Sequence, residues 1–182
     1  KNIRCCQMAS SLDVAETVCA FVVAILMLRI FLLHTLQTLS RSRFGANKRI
    51  IRAPLTQSQL DRERVWIRAL LCQAALLGAS FYAGIFSYSM PFLNFTGIFV
   101  TFALHASVTE LIYYWMHRAL HTEPLYSALH SFHHLSISME PVTAFSFNLS
   151  EDLVFSALTV GAAAGAAYLG QQSYIGLTLY LL

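Results

Sequence analysis

The stretch "ALLCQAALLGASFYAGIFSYSM", residues 69–90, runs for 22 residues without a charge. A helix needs ~20 mostly apolar residues to cross the hydrocarbon core of a bilayer, so Ala69–Met90 reads as a transmembrane helix. The rest of the chain agrees with it. Of 182 residues, 57% are hydrophobic and only 12% are charged, against ~25% charged in a soluble domain. Too few polar residues remain to cover a water-soluble globule. The same composition excludes a disordered chain, a collagen-like repeat and a disulfide-stapled secreted fold.

Further spans lie on either side. Val14–Leu39 is apolar, densest over Val18–Leu33 and broken by Arg29, which is placed to snorkel toward the C-terminal interface. A cleavable leader fits poorly, because the run is too long and Asp13 and Glu16 precede it. Pro91 and Asn94 mark a turn, and a third span runs from Phe92 to Met116. A fourth, Leu153–Leu169, is rich in the Gly and Ala that let helices pack closely. Gln171–Ser173 reads as a turn, and Tyr174–Leu182 begins a fifth span. The fold class expected is all-α: a multi-span transmembrane helical bundle carrying a cytosolic His-rich helical hairpin. Residues 1–182 are expected to form the N-terminal part of one membrane-embedded domain that continues past residue 182. Cys5, Cys6, Cys19 and Cys72 read as buried or reduced thiols, with lipidation of Cys5 or Cys6 weakly signalled.

Between the first two spans, Ser40–Arg68 holds eight of the twelve basic residues against Asp61 and Glu63. A basic segment can bind nucleic acid. Between apolar spans it marks the cytosolic side and touches anionic headgroups, and no nucleic-acid partner is expected. Spans two and three then carry the chain out and back. Residues 117–134 therefore land beside the basic segment.

That window holds five of the seven His. His117 and His121 are spaced i, i+4, which stacks both rings on one helical face. Thr122, Glu123 and Pro124 interrupt the helix. A second helix then carries His130, His133 and His134 at i, i+3 and i+4, again on one face. Neutral imidazole is the commonest metal ligand and suits Fe, Zn, Cu and Ni, so converging rings at a membrane surface point to a metal centre. His34 and His105 read as ordinary interfacial or core residues. Glu110, Tyr114, His117 and His121 share one stripe. An ionisable group inside a span is functional by default, so Glu110 is a candidate ligand, a partner for a ligating ring, or a structural hydrogen-bonding group. Tyr114 and Trp115 also fit plain interfacial aromatics. Arg118 points away from the stripe, toward headgroups or Glu123.

The pair His117-Arg-Ala-Leu-His121 and His130-Ser-Phe-His133-His134, inside "ELIYYWMHRALHTEPLYSALHSFHHLSISMEPVTAF" (110–145), resembles the fatty acid hydroxylase and sterol desaturase superfamily, and most of all its plant cuticular-wax branch. The resemblance implies an endoplasmic-reticulum enzyme with a non-haem di-iron centre, in which zinc can substitute for iron. It implies that His117, His121, His130, His133 and His134 are ligands; Glu110 and Tyr114, on the same stripe as His117 and His121, are the candidate catalytic groups beside them. It implies oxidation of a fatty acyl chain, a very-long-chain aldehyde or a sterol, using O2 and an electron donor such as a cytochrome b5-type protein. Hetero-oligomers with a related subunit are also implied. The third His cluster of the family is absent from this chain, and Glu140-Pro141 is followed by Asn148, Glu151 and Asp152 rather than by a further His. The alternatives are a catalytically silent partner subunit and a His-rich metal- or haem-binding membrane protein.

Overall fold

The computed structural model describes residues 11–46 and 54–182. Cys5 and Cys6, and the basic residues Lys48, Arg49 and Arg52, lie outside the described residues. The described residues are helical, with no strand among them. In order they form α1 (Ser11–Arg41), the short α2 (Arg43–Ala46), α3 (Gln57–Glu63), α4 (Trp66–Tyr82), α5 (Phe95–Leu104), α6 (Glu110–Leu120), α7 (Leu149–Tyr168) and α8 (Tyr174–Leu181). A π-helical turn at His105–Thr109 joins α5 to α6.

Three helical runs are long and apolar enough to cross a membrane: Asp13–Arg41, Gln57–Tyr82 and Phe95–Leu120. The second differs from its expected bounds. α4 stops at Tyr82 rather than Met90, because Ala83 caps it and Gly84 then turns the backbone to φ 74°, a conformation open to glycine at little cost. On the other side the run continues into the polar α3. The third run extends beyond Met116 to Leu120, so His117 sits inside its last turn rather than past it. α7 is helical where a fourth span is expected, but it is not among the three runs long and apolar enough to cross. It lies at the centre of the bundle between α4 and α5, with α1 packed against α4 and α8 against α5. Its small residues Ala162, Ala163, Ala166 and Ala167 are buried, and Val160 and Ala163 join Ile25, Leu77, Phe81 and Leu177 in the core.

The outer faces are apolar too. Phe95 and Phe99 are 77% and 73% exposed, and Met27 and Phe31 also face outward. Exposed apolar patches on that scale call for lipid or protein rather than water. One end of the bundle is polar. There the segment 121–148 is latched to the basic helices: Arg41 pairs with Glu140 at 2.9 Å, and Arg62 donates to the Leu135 carbonyl at 3.0 Å. Arg68 pairs with Asp152 at 2.6 Å and donates to the Phe147 carbonyl at 2.7 Å. The described part of the basic segment thus lies beside the His-rich segment, with Arg41, Arg62 and Arg68 turned onto protein.

Candidate metal centre

His117 occupies the last turn of α6 and His121 caps it, so the i, i+4 spacing puts both rings on one side. The chain turns through Thr122–Leu125 and enters a second π-helical turn, Tyr126–His130, closed by Ser131 N–H donating to the Tyr126 carbonyl at 2.8 Å. A 3₁₀ turn at His133–Leu135 follows. The continuous second His helix expected from the sequence is therefore two short turns.

These turns bring four rings together. Nε2 of His130 lies 3.0 Å from Nε2 of His117 and 3.0 Å from Nε2 of His134, and Nε2 of His121 lies 3.2 Å from that of His117. The ligand atoms of all four lie within 4.8 Å of one another. His130 is fully buried, and its other nitrogen, Nδ1, lies 2.6 Å from Oε1 of Glu151. Glu151 stands in the first turn of α7, where Asn148 caps the helix by accepting from the Glu151 N–H at 2.9 Å. The amide of Asn148 also donates to the Leu129 carbonyl. One residue therefore ties the π turn to the start of α7. Tyr126 stacks on His121 with ring centroids 5.8 Å apart.

The donor set fits a cation. A neutral His130 that donates from Nδ1 to Glu151 at 2.6 Å carries only a lone pair on Nε2. That single lone pair cannot satisfy two further ring nitrogens at 3.0 Å. Nε2 spacings of 3.0–3.2 Å are close enough for neighbouring rings to share one ion. Burial and the neighbouring imidazoles hold His130 down to about 4, which keeps it in the neutral form that a ligand needs.

His133 is adjacent but outside the group of four. Its ring stacks on Phe147 at 4.7 Å and lies 5.6 Å from that of His130. Its Nδ1 is buried without a partner, as is Oε2 of Glu151. Such orphaned groups ordinarily cost ~1–3 kcal/mol each. Burial, then His134 and His130, push His133 down to about 4 as well.

Glu110 and Tyr114 do not join the group. Glu110 shares the face of His117 but lies ~10 Å below it, seven residues along the helix. It meets Nε2 of His105 at 3.1 Å, and Nδ1 of His105 is 2.8 Å from the Tyr180 hydroxyl. Tyr114 accepts from Arg118 at 3.1 Å, and Arg118 lies over Trp115, so it does not reach Glu123. Sequence reasoning placed no role on Glu151, Asn148, Tyr126 or Phe147. The available signal was an Asn followed by two acids at the head of an apolar helix.

Residues 102–182 match the fatty acid hydroxylase family model. The very-long-chain aldehyde decarbonylase GL1-4 of Oryza sativa subsp. indica is 36% identical over 149 residues, 79% of this chain and 23% of that protein. Protein CER1-like 2 of Arabidopsis thaliana is 33% identical over 166 residues, 88% of this chain and 26% of that one. The very-long-chain aldehyde decarbonylase CER1 of Arabidopsis thaliana is 33% identical over 131 residues, 68% of this chain and 20% of that protein. The chain spans about a quarter of the length of these relatives. No solved structure matches it.

Proposed function

We propose that this chain, whose residues 102–182 match the fatty acid hydroxylase family model, is part of a lipid-modifying membrane enzyme, a non-haem iron oxidoreductase acting on a long hydrocarbon chain. The fatty aldehydes named for its relatives are the first substrates to try. The observation that carries the proposal is the convergence of Nε2 from His117, His121, His130 and His134 at the polar end of the apolar bundle. His117, His121, His130 and His134 would hold one ion, and His133 and Glu151, each with a buried orphaned atom, would contribute toward a second. Two irons would supply the oxidising power, drawn from O2 and external electrons.

The protein's share is positional. Glu151 fixes the His130 ring and raises its basicity, as carboxylates do behind metal-bound imidazoles. Phe147 and Tyr126 keep two rings from turning away. The apolar helices let a hydrocarbon chain enter sideways from the bilayer, and the polar end is open to an electron donor such as a cytochrome b5-type protein. The reading includes residence in the endoplasmic reticulum membrane with the His-bearing end toward the cytosol, in keeping with the arginines at that end. A bis-imidazole haem suits the geometry less well. Haem ligation takes two imidazoles, whereas four Nε2 atoms converge here.

The test is metal content. The full-length protein, purified in detergent, should carry close to two irons per chain, or two zincs after exchange. A protein that binds neither, even when refilled anaerobically, overturns the proposal. Unchanged lipid products with His130→Ala would leave only a scaffolding role.

A further inference from the structure

A cavity of about 620 Å³ opens between the first half of α1 and the C-terminal end of α4, at the end of the bundle opposite the imidazoles. Its walls include Val14, Val18 and Val22 from α1, Phe81 and Gly78 from α4, and Tyr88 from the following loop. The volume is that of a ligand site (~300–1,000 Å³). Its α1 wall, Val14–Val23, is ~14 Å long at 1.5 Å per residue, so the cavity is elongated along the helices. Gly78 leaves it wide: a Cβ at that position would meet no atom within 4 Å.

Two smaller, separate spaces lie along α4 between this cavity and the imidazoles. A water-sized space shares the Val22 wall and reaches Leu70 and Gln73. A third cavity, of about 80 Å³, shares Leu70 and Gln73 and reaches Phe147 and Asp152. Phe147 is the ring stacked on His133. The three spaces thus step along α4, from Tyr82 to Ala69, over ~20 Å.

We propose that the α1–α4 groove holds the methyl-terminal part of a single unbranched hydrocarbon chain whose polar end lies at the imidazole cluster. The groove offers apolar walls and no charged side chain, so an alkyl chain gains from burial and a headgroup does not. The narrow middle space, between Arg29 and Gln73, is where side chains must give for the chain to pass. This deepens the function proposed above and rests on it for the identity of the reacting end, whereas occupancy of the groove is measured separately.

The probe is a saturated C18 fatty alcohol with a diazirine at its methyl end, photolysed with the full-length protein in nanodiscs and mapped by peptide mass spectrometry. Adducts should concentrate on Val14–Val23, Tyr82 and Tyr88. Gly78→Leu, whose Cβ enters open space, should cut them at least fivefold. Val18→Trp fills the groove from the other wall and should do the same if Gly78→Leu folds poorly. The same probe with its diazirine beside the hydroxyl should leave this region unlabelled. Labelling spread evenly over outward faces such as Phe95 and Phe99, or unaffected by both variants, overturns the proposal. So does disulfide capture between the Cys19 thiols of two copies at full yield, which would show a second protein in the groove. Iron content measured on the same samples separates the two readings: a metal-free protein with groove adducts removes the oxidoreductase and keeps the groove.

Discussion

His130 has a neighbour on each nitrogen: Glu151 at 2.6 Å on Nδ1, and two other imidazoles at 3.0 Å on Nε2. Replacing it should therefore do more than replacing His133, whose nitrogens lie outside the group of four. His130→Ala is expected to abolish metal binding in the full-length protein. His133→Ala should retain at least one ion per chain, as read by metal analysis after gel filtration. Glu151→Gln keeps the shape and removes the charge behind the ring, and metal affinity should fall ~10–100-fold, measured by competition with a chelator. The same imidazoles set a pH dependence. Their pKa values of about 4 in the folded protein lie below the unfolded value of ~6.5, so the unfolded chain binds more protons between those limits. Their contribution to stability is complete above pH 6.5 and is lost as pH falls toward 4. Burial raises the Glu151 carboxyl to about 7, which works the other way, lending stability below pH 4.5 and losing it as pH rises through 7. Two imidazoles outweigh one carboxyl, so the metal-free protein should melt at progressively lower temperature from pH 6.5 to 4.5. A flat profile over that interval would contradict the burial of both rings.

At the scale of the elements, the joints that hold the site are ionic and unequal. Asp152, in the first turn of α7, has a side chain with no exposed surface, and its main neutralising contact is Arg68, at the start of α4. Removing one partner of a buried pair strands the other, at ~3 kcal/mol or more. Arg68→Met should therefore lower the unfolding free energy of the metal-free protein by about 3 kcal/mol. Arg64→Ala should change it by under ~0.5 kcal/mol, since its pairing with Asp61 is largely in water. Chemical denaturation in a mild detergent distinguishes them. The same joints mark what the sequence made legible. Helical spacing was enough to bring His117 and His121 together, and charge-free length was enough to find α4. Hydropathy could not see that Gly84 ends α4 eight residues early, because Ile85, Phe86 and Met90 are as apolar as the helix before them. It could not give Glu151 its place either. A carboxylate 21 residues from its imidazole reads as a helix-capping acid until tertiary packing buries it against the ring. Glu110 shows the converse: it shares a face with His117, but height along the helix separates them.

For the molecule as a whole, the helix directions give an arrangement that can be tested from outside. α1 ends, α3 begins and α6 ends at the polar end, and α7 starts there. The loop between α4 and α5 meets the loop between α7 and α8 at the other end: the Tyr174 N–H donates to the Pro91 carbonyl at 3.1 Å, and Ser87 N–H to Gln172 at 3.0 Å. The basic segment and the imidazole cluster must therefore face the same side of the bilayer, whichever side that is. Positive residues within short loops are retained on the cytosolic side, so both should face the cytosol. Single cysteines at Arg64 and Glu123, both exposed, in a background lacking the native thiols, should react with a membrane-impermeant maleimide in sealed cytosol-out vesicles. A cysteine at Ser89 should react only after the vesicles are opened. Labelling of Arg64→Cys and Glu123→Cys from opposite sides would break the bundle described here, because Arg41, Arg62 and Arg68 could not then reach Glu140, Leu135 and Asp152. Labelling of both from the lumenal side would keep the bundle and reverse its orientation, and with it the side from which electrons must arrive.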